Sequence, residues 1–508
     1  MRLPFRRHHW AGLTAVVLLL TLVPAGVQLA VHGTRSAAEA SSVASSSGPV
    51  DGPAPTPNRP NILLITTDDM ADGDLRWMPR TRAWLQQQGA DLTDFISPHP
   101  LCCPARAEIL TGQYAQNNGV RHNKGSRGGW AAYRARAAQN IGAWLRAGGY
   151  ETAFAGKFLN GYETTGGLLP GWDHWNPTLA GTYNPYDFWA YDDGSPQLHR
   201  GIHITDWLGA QTNRYVEEFA ATSKPFFIWA SYVAPHTMTD PTTHRWVPPI
   251  AAERHARLFP AARPPSMSKP TYRRTNKGSN LGVFPSSEVW RLTDVEIVRM
   301  FRARIRSLQG VDEAVDATMR TLQATGQLDN TYVFFTSDNG YLMGEHNLMG
   351  KNFPYEGALQ IPGLVRGPGI APGTRSRMTS LVDLAPTFLD IAGATAGHRV
   401  DGVSLLPYLR GLGGGYRTSL IQAGHVKRAW LWRGVRTARY TYARYPRRGF
   451  VELYDRKVNP HQRRNVARDP DYARVVKELE RRRKALADCA GPERCNRDFG
   501  AVPRPRRR

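Results

Sequence analysis

The sequence predicts an α/β fold in which a large, mainly parallel sheet is covered by helices on both faces. Two runs of β-branched and aromatic residues carry this prediction, NILLITT at Asn61–Thr67 and TYVFFTS at Thr331–Ser337. Continuous apolar strands of this kind are typical of parallel sheets. A long helical period over residues 292–325 adds the alternation of strands and helices that defines the class.

Further strands and helices are predicted around these two runs. Segments 79–88 and Ile141–Ala147 have helical patterns that end at a glycine, a common helix stop. Short apolar runs at 152–155 and 225–232 are predicted to be additional buried strands. Residues 381–392 have the pattern of an amphipathic helix, so strands and helices alternate along this whole part of the chain.

The sequence changes character near residue 411, where we predict a domain boundary. Residues 59–410 would form the main domain, and residues 411–508 a smaller α+β domain. Short aromatic-rich runs separated by turn residues predict an antiparallel sheet in the smaller domain, followed by an amphipathic helix. The predicted strands are 430–437, 440–445 and 450–454, and the helix is 471–487.

The N-terminus has the pattern of an export signal. Three arginines within the first seven residues precede an apolar run and then small residues. Residues 1–33 are therefore predicted to be a signal peptide or, because the run is long, an N-terminal membrane anchor. Residues 34–58 are rich in Ser, Ala and Pro and are predicted to be a linker. The folded part is expected to be secreted or to lie at the outer face of the cytoplasmic membrane.

Composition narrows the class of protein. Hydrophobic residues make up 41% of the 508 residues and charged residues 21%, which excludes wholesale disorder. The formal net charge is +23, which favours nucleic acid, an acidic membrane or an anionic substrate as partner. Arginine outnumbers lysine 55 to 10, so a general arginine bias is the alternative. Residues 411–508 hold 26 Lys and Arg against 9 Asp and Glu, so most of the charge is regional.

Polar side chains follow the two best-predicted strands. Asp68 and Asp69 come directly after NILLITT, and Asp338 and Asn339 directly after TYVFFTS. In open α/β sheets, functional sites gather at the carboxyl ends of the strands. Three carboxylates and an amide oxygen suit Ca²⁺ or Mg²⁺. Acids after strands also cap helices and form turns, which is the structural alternative.

The segment LCCPARAEILTG at 101–112 predicts a helix that begins just after Cys102 and Cys103. Free N–H groups and the positive dipole at a helix N-terminus suit a bound anion and lower the pKa of a thiol. Either cysteine could therefore be a nucleophile, with Arg106 holding an anionic ester. The alternative is a structural role, as a buried pair or in a disulfide with Cys489 or Cys495.

The same segment resembles a known family signature. CCPAR at 102–106, followed by LTG at 110–112, resembles the type I sulfatase signature C-x-P-x-R with its downstream L-T-G. The doubled cysteine and GKFLN at 156–160 are most similar to the N-acetylglucosamine-6-sulfatase branch, which includes extracellular heparan endosulfatases. The resemblance extends from residue 61 to about residue 466. It implies an alkaline-phosphatase-like fold and hydrolysis of sulfate esters.

The resemblance also implies a set of site residues. Cys102 would be converted to formylglycine by a formylglycine-generating enzyme, and the hydrate of this aldehyde would be the nucleophile. One divalent cation, usually calcium, would be held by Asp68, Asp69, Asp338, Asn339 and the converted Cys102. The basic residues matched position by position are Arg106, which would hold the hydrate, Lys157, which would contact sulfate, and His236 and Lys351, which would bind sulfate and help protonate the departing alcohol.

One departure from many arylsulfatases concerns the base that releases sulfate from the nucleophile. Those enzymes have histidine two residues after the lysine that matches Lys157, whereas this chain has Leu159, as the glucosamine-6-sulfatase branch does. Leucine cannot accept a proton, so the base stays open. His122 and His346 are candidates, although a lone histidine is more often structural.

The remaining residues leave the substrate open. Aromatic side chains before the central strands could stack on sugar rings or pack an irregular stretch onto the core: Trp172, Trp175, Tyr183, Tyr186, Phe188 and Trp189. We expect a sulfated carbohydrate, such as an N-acetylglucosamine 6-sulfate, and no nucleic acid. The alternatives are a phosphonate monoester or phosphate diester hydrolase of the same superfamily, and a catalytically silent binder of surface polyanions. Cys103 is expected to be a small buried residue, and a local disulfide between Cys489 and Cys495 is one of two open states.

Overall fold

The structure is a computed structural model that describes residues 59–506 except 165, 241, 243–245, 276–291 and 428–429. The predicted signal peptide or anchor at 1–33 and the linker at 34–58 lie outside the described residues. Among the helices in the described part of the chain, none is both long enough and apolar enough to cross a membrane.

An eight-stranded sheet forms the centre of the fold. Seven of its strands run in the same direction and β7 alone is antiparallel, in the order β8-β2-β7-β6-β1-β5-β3-β4. This confirms the predicted mixed, mainly parallel sheet. In chain order, the strands are β1 Asn61–Thr67, β2 Ala90–Leu92, β3 Glu151–Gly156, β4 His174–Pro177, β5 Phe226–Ser231, β6 Thr331–Ser337, β7 Gly363–Arg366 and β8 Gly373–Arg375.

Strands β1 and β6 match the two predicted runs to the residue. They pair in parallel with Asn61 opposite Thr331 and Thr67 opposite Ser337, so both strands end at the same level. Every residue of both strands is buried, because helices cover the sheet on each side. The polar residues that follow the two strands therefore emerge side by side.

Six long helices and several short ones complete the described chain. One apolar cluster joins one face of the sheet to α1, α2 and α5, and a second joins the other face to α3 and α4. The long helices are α1 Cys102–Thr111, α2 Ile141–Ala147, α3 Ile204–Ala220, α4 Asp294–Ala324, α5 Leu384–Ala392 and α6 Ala473–Ala487. The short helices are Pro79–Thr81, Ala115–Asn118, Gly129–Tyr133, Glu356–Leu359, Leu406–Leu409 and Pro492–Cys495.

The C-terminal region forms the predicted antiparallel sheet with one strand more than expected. Its strands, in spatial order, are β9 Ser419–Ala423, β10 Trp432–Arg436, β11 Tyr440–Arg444 and β12 Val451–Asp455. Helix α6 packs on this sheet through an apolar cluster that includes Leu453 and Leu479. Another cluster joins Trp432 of β10 to Phe353 of the preceding region. The boundary between residues 410 and 411 stays a prediction.

One local expectation was wrong. The aromatic stretch before the central strands is not irregular, because Asp187–Asp192 and Ser195–Arg200 form an antiparallel hairpin. Side chains alternate in exposure along its first strand, which buries Phe188 and leaves Trp189 exposed. The helical stretch expected at 79–88 is confirmed as far as residue 86, with one α-helical turn at Pro79–Thr81 followed by a π-helical turn at Arg82–Gln86. Smaller two-stranded pairs are Phe95–Ile96 with Thr379–Ser380, Met238–Thr239 with Trp246–Val247, and Leu342–Met343 with Met349–Gly350.

Candidate active site

The ends of β1 and β6 bring four predicted ligands together. The backbone N–H of Asp338 donates to the carbonyl of Thr67 at 3.1 Å, and the N–H of Asp69 donates to Oδ1 of Asp338 at 3.1 Å. The Asn339 side-chain amide donates to Oδ1 of Asp69 at 2.7 Å. All four side chains, including that of Asp68, are at most 1% exposed. The register of two neighbouring strands therefore assembles the acid cluster.

Helix α1 places Cys102 beside this cluster. Cys102 is the first residue of the helix, so the helix begins at this cysteine rather than just after it and Cys103. Its Sγ lies 3.3 Å from Oδ1 of Asp68 and 2.7 Å from Nζ of Lys351. Burial, followed by the charge of Asp68, raises the pKa of the thiol above its ordinary value. The unmodified side chain is therefore a neutral thiol.

The second cysteine has a different environment. The backbone N–H of Cys103 donates to Oδ1 of Asn123 at 2.9 Å, and its Sγ accepts from the backbone N–H of Asn160 at 3.3 Å. Cys103 is fully buried, as expected for a small packing residue. Both it and Cys102 are free, because Cys489 and Cys495 form a disulfide with each other.

Arg106 is fixed between the strands and α1. Its Nε lies 2.9 Å from Oδ2 of Asp338, and its Nη1 donates to the carbonyl of Lys157 at 2.7 Å and to Oγ of Ser231. The residue is 1% exposed. The guanidinium group therefore links three strand ends and holds Asp338 in its orientation.

Two lysines contact the carboxylates. Nζ of Lys157 forms an ion pair with Asp68, and Nζ of Lys351 forms one with Asp69. Burial alone would raise the pKa of each aspartate, but the lysines hold both values below the ordinary range. Burial alone would likewise lower the pKa of each lysine, but the aspartates hold these values well above the ordinary one. The two lysines and the two aspartates are therefore all ionised in the site.

His236 lies on the other side of Asp69. Its Nδ1 is 2.5 Å from the carbonyl oxygen of Thr237, which can only accept a hydrogen bond, so Nδ1 carries a proton. Its Nε2 lies 3.5 Å from Oδ2 of Asp69. Burial lowers the pKa of His236 to about 4 despite the nearby aspartates. The ring of Tyr183 stacks on the imidazole at 4.4 Å and lies under Nζ of Lys157 at 5.1 Å.

The acid cluster fits a hard divalent cation. Oδ2 of Asp69 and Oδ1 of Asn339 are buried, and no hydrogen-bond partner for either occurs in the described residues. Burial, followed by the charge of Asp68, raises the pKa of Asp338 to about 6. The positive groups of the site therefore do not fully compensate the negative charge of the cluster. One ligand atom each from Asp68, Asp69, Cys102 and His236 lie within 4.8 Å of one another. That geometric group includes His236, which the predicted ligand set does not.

Arg304 is a site residue that sequence reasoning missed. It is 1% exposed, and it extends from α4 to donate to the backbone carbonyls of Asp69 and Pro235. Its guanidinium group also stacks on the ring of Tyr341 at 4.3 Å. An arginine on the apolar face of a predicted helix was the available signal, because such a residue is rarely buried without a partner.

Most of the other candidate residues from the sequence make packing or backbone contacts and do not contact the acid cluster. Leu159 is 2% exposed and packs in the apolar cluster under α1, so its position does not face the acids. His346 stacks on Tyr355 at 4.2 Å, and burial lowers its pKa to about 4. His122 accepts a hydrogen bond from the backbone of Lys124. Of the six aromatic residues, Tyr183 is the one whose ring contacts site residues within the described part of the chain. Three others belong to the apolar clusters: Trp172, Trp175 and Phe188.

This fold and this arrangement of acids, bases and cysteine are those of a sulfatase. Residues 60–394 match the model of the sulfatase family, and residues 344–488 match the model of the C-terminal region of N-sulphoglucosamine sulphohydrolase. The chain therefore belongs to the sulfatase family. Within it, the chain is close to the N-acetylglucosamine-6-sulfatase branch.

Curated relatives and solved structures agree with this placement. Human N-acetylglucosamine-6-sulfatase is 33% identical over 71% of this chain and 66% of its own length. The putative extracellular sulfatase Sulf-1 homolog of Caenorhabditis elegans is 31% identical over 68% of this chain and 48% of its own length. The chain therefore spans about half to two thirds of these relatives.

The solved structures support the fold. BT4656, described in complex with its substrate D-glucosamine-2-N,6-O-disulfate, has a TM-score of 0.69 at 22% identity and covers 84% of this chain and 97% of its own. The phosphonate monoester hydrolase SpPMH from Silicibacter pomeroyi has a TM-score of 0.65 at 23% identity, with coverage of 85% and 96%.

Proposed function

We propose that the protein is a sulfuric ester hydrolase that removes sulfate from a sulfated carbohydrate. The observation that carries this proposal is the position of Cys102. It begins a buried helix, and its Sγ contacts Asp68 at 3.3 Å and Lys351 at 2.7 Å within a cluster of acids and bases. In the family signature that this segment resembles, the same cysteine is the one that becomes formylglycine.

Two groups would complete the site. The hydrate of formylglycine at position 102 supplies a hydroxyl nucleophile, which a buried neutral thiol does not. A divalent cation, which the resemblance implies to be calcium, would be held by Asp68, Asp69, Asp338 and Asn339. It would supply positive charge to the sulfate oxygens. The buried, unpartnered oxygens of Asp69 and Asn339 support this assignment.

The chain's own basic residues would bind the sulfate group. Lys157 and Lys351 both carry charge inside a site from which water is largely excluded, since their side chains are 4% and 13% exposed. Fixed positive charge in such surroundings stabilises negative charge that develops on a reacting ester. Arg106 would help to hold the hydrate as well as Asp338, because its Nη2 is buried and has no hydrogen-bond partner among the described residues.

Proton transfer would be divided between two groups. Lys351 carries a proton at Nζ, which lies 2.7 Å from Sγ of Cys102, the residue that would become the nucleophile. It can give this proton to the departing alcohol oxygen. His236 has its proton on Nδ1, so Nε2 is free to accept one. A ring nitrogen of His236 lies within 4.8 Å of Sγ of Cys102. We therefore assign the base that was left open by Leu159 to His236, in place of the acid role that the resemblance implies for this histidine; Lys351 keeps that role.

The biological setting is also a proposal. The relatives named above act by name on N-acetylglucosamine sulfate or are called extracellular, which supports an exported enzyme for a sulfated glycan. The disulfide between Cys489 and Cys495 is typical of proteins outside the reducing cytoplasm. A formylglycine-generating enzyme would be required for maturation, and the segment 1–33 would direct export.

The competing activity is hydrolysis of phosphonate monoesters or phosphate diesters, because SpPMH shares the fold. The test measures kcat/KM on 4-nitrophenyl sulfate and on a matched aryl phosphonate monoester and aryl phosphodiester. We expect the sulfate ester to be the best of the three. A higher kcat/KM on either phosphorus ester would replace the proposed activity, and no turnover of any ester would favour a silent polyanion binder.

A further inference from the structure

A cluster of basic and aromatic side chains lies near the site but is not used by the proposed chemistry. Trp430 is the centre of this cluster. The guanidinium carbon of Arg121 lies 4.8 Å from the centre of its ring, and that of Arg433 lies 4.4 Å from it. We call these three residues the Trp430 cluster.

Among the described residues, the two arginines of the Trp430 cluster have no strong anionic partner. Arg433 is 9% exposed, and no hydrogen-bond partner for its buried Nε and Nη2 occurs in the described chain. Its Nη1 lies 3.5 Å from Oδ1 of Asp488. Arg121 forms no ion pair within the described residues. Burial, opposed in part by Asp488, lowers the pKa of Arg433 to about 10.

The exposure of Asp488 shows that solvent reaches the edge of the Trp430 cluster. Its side chain is 90% exposed, and an exposed carboxylate at this distance contributes little stability. A ligand anion with two oxygens could replace it and bind the planar guanidinium group through two hydrogen bonds. Because both arginines lie over the ring of Trp430, two positive charges are close together. An anion bound between them would relieve their mutual repulsion.

Short connections join the Trp430 cluster to the catalytic residues. Arg121 is two residues from Asn123, whose side chain binds the backbone N–H of Cys103, next to Cys102. Two residues of chain span at most about 7 Å. On the other segment, the indole N–H of Trp432 donates to the carbonyl of Asn352, next to Lys351, at 3.0 Å. Both segments of the cluster are therefore anchored to segments that carry site residues.

We propose that the Trp430 cluster is a subsite for a second anionic group of the glycan, a sulfate or carboxylate on a sugar near the one that is cleaved. The proposal rests on the proposed function, since it assumes that a sulfated glycan enters the site beside Cys102. It assigns a specific role to part of the regional positive charge. The cluster would favour polyanionic chains over isolated monosulfated sugars.

The test compares binding of two probes, N-acetylglucosamine 6-sulfate and a heparin-derived hexasaccharide. Calorimetry on full-length protein with Cys102→Ala, which prevents turnover, gives a dissociation constant for each. The preference for the hexasaccharide is the ratio of the two dissociation constants. It should fall about tenfold in Arg121→Gln, because one charge-assisted contact is lost. In Asp488→Asn the preference should rise, because a competing carboxylate is removed. Arg320→Gln is the matched control, since Arg320 is an exposed arginine on α4, a helix on the other face of the sheet from α1.

The opposite signs of the two changes separate binding from a general loss of structure. Arg433→Gln should act like Arg121→Gln, and if it does not fold, the partly exposed Arg121 still decides the outcome. An unchanged preference in both Arg121→Gln and Asp488→Asn would overturn the subsite. Sulfate release by the unmutated protein is measured in parallel. If no sulfate ester is cleaved, the proposed function fails, and the binding preferences still decide whether the subsite exists.

Discussion

Glu356 connects the C-terminal sheet to the segment that carries Lys351, and its replacement by glutamine should destabilise the protein in a pH-dependent way. Its carboxylate accepts hydrogen bonds from Arg436 at 2.5 Å and from Arg456 at 3.0 Å. Arg436 is 1% exposed and also pairs with Asp94 at 2.6 Å. Glu356→Gln keeps the shape of the side chain and removes its charge.

The magnitude follows from the pKa of Glu356. Burial would raise this pKa, but Arg436 and then Arg456 lower it to about 2. Measured against an ordinary glutamate, this shift corresponds to about 3 kcal/mol of stability at pH 7. The folded-state pKa is depressed, so the contribution is complete above the unfolded-state pKa and is lost as pH falls towards 2. At pH 3 the same relation leaves about 1.4 kcal/mol.

Urea denaturation of both proteins at pH 7 and pH 3 measures the difference in the free energy of unfolding. The difference should shrink by about half at the lower pH, as worked out from the linkage relation. Glu493→Gln is the control, because Glu493 pairs with Arg399 on the surface and both side chains are exposed; we expect little change at either pH. An equal loss at both pH values would refute the electrostatic reasoning, because a packing defect does not depend on the charge of Glu356.

Three further predictions concern the site. His236→Gln should slow turnover of 4-nitrophenyl sulfate by about 10²–10⁴-fold and give a rapid burst of nitrophenol, measured by stopped-flow absorbance; loss of the burst would show that His236 acts earlier. Lys351→Met should lower kcat/KM by about 10²–10³-fold, measured by initial rates, and an effect below tenfold would remove Lys351 from the chemistry. Chelation should abolish activity and lower the melting temperature, and added calcium should restore both, because a cation that binds the folded state stabilises it; a melting temperature that does not respond to calcium would argue against the metal site.

The sequence could predict the acid cluster because its members are adjacent to recognisable strands. Asp68, Asp69, Asp338 and Asn339 follow two runs whose hydrophobicity alone identifies them as buried strands. The parallel register of β1 and β6 then places all four side chains at one edge. Cys102 was found through its motif and through the helix that begins there.

Features that depend on tertiary packing could not be predicted in the same way. The reversed direction of β7 depends on its neighbours in the sheet, because a short apolar run has no intrinsic direction. Arg304 reaches Asp69 only through the packing of α4. The stacking of Tyr183 on His236 requires the chain between β4 and the hairpin to fold back over the site. In each case, the local pattern is consistent with several environments.

The hairpin at 187–200 shows a different limit. Exposed and buried residues alternate along its first strand, but the sequence does not show this alternation, because residues 188–191 are all apolar. Leu159 is the opposite case, because the sequence identified it as unable to act as a base and the structure shows its side chain packed in the core.

Mass spectrometry of the peptide that contains Cys102 tests the central claim most directly. The peptide should be isolated from protein that hydrolyses a sulfate ester, so that the chemical state of residue 102 is read in the active enzyme. We predict formylglycine at position 102 and an unmodified thiol at Cys103, which lies in a separate contact with Asn160. An unmodified thiol at Cys102 in active protein would contradict the proposed nucleophile.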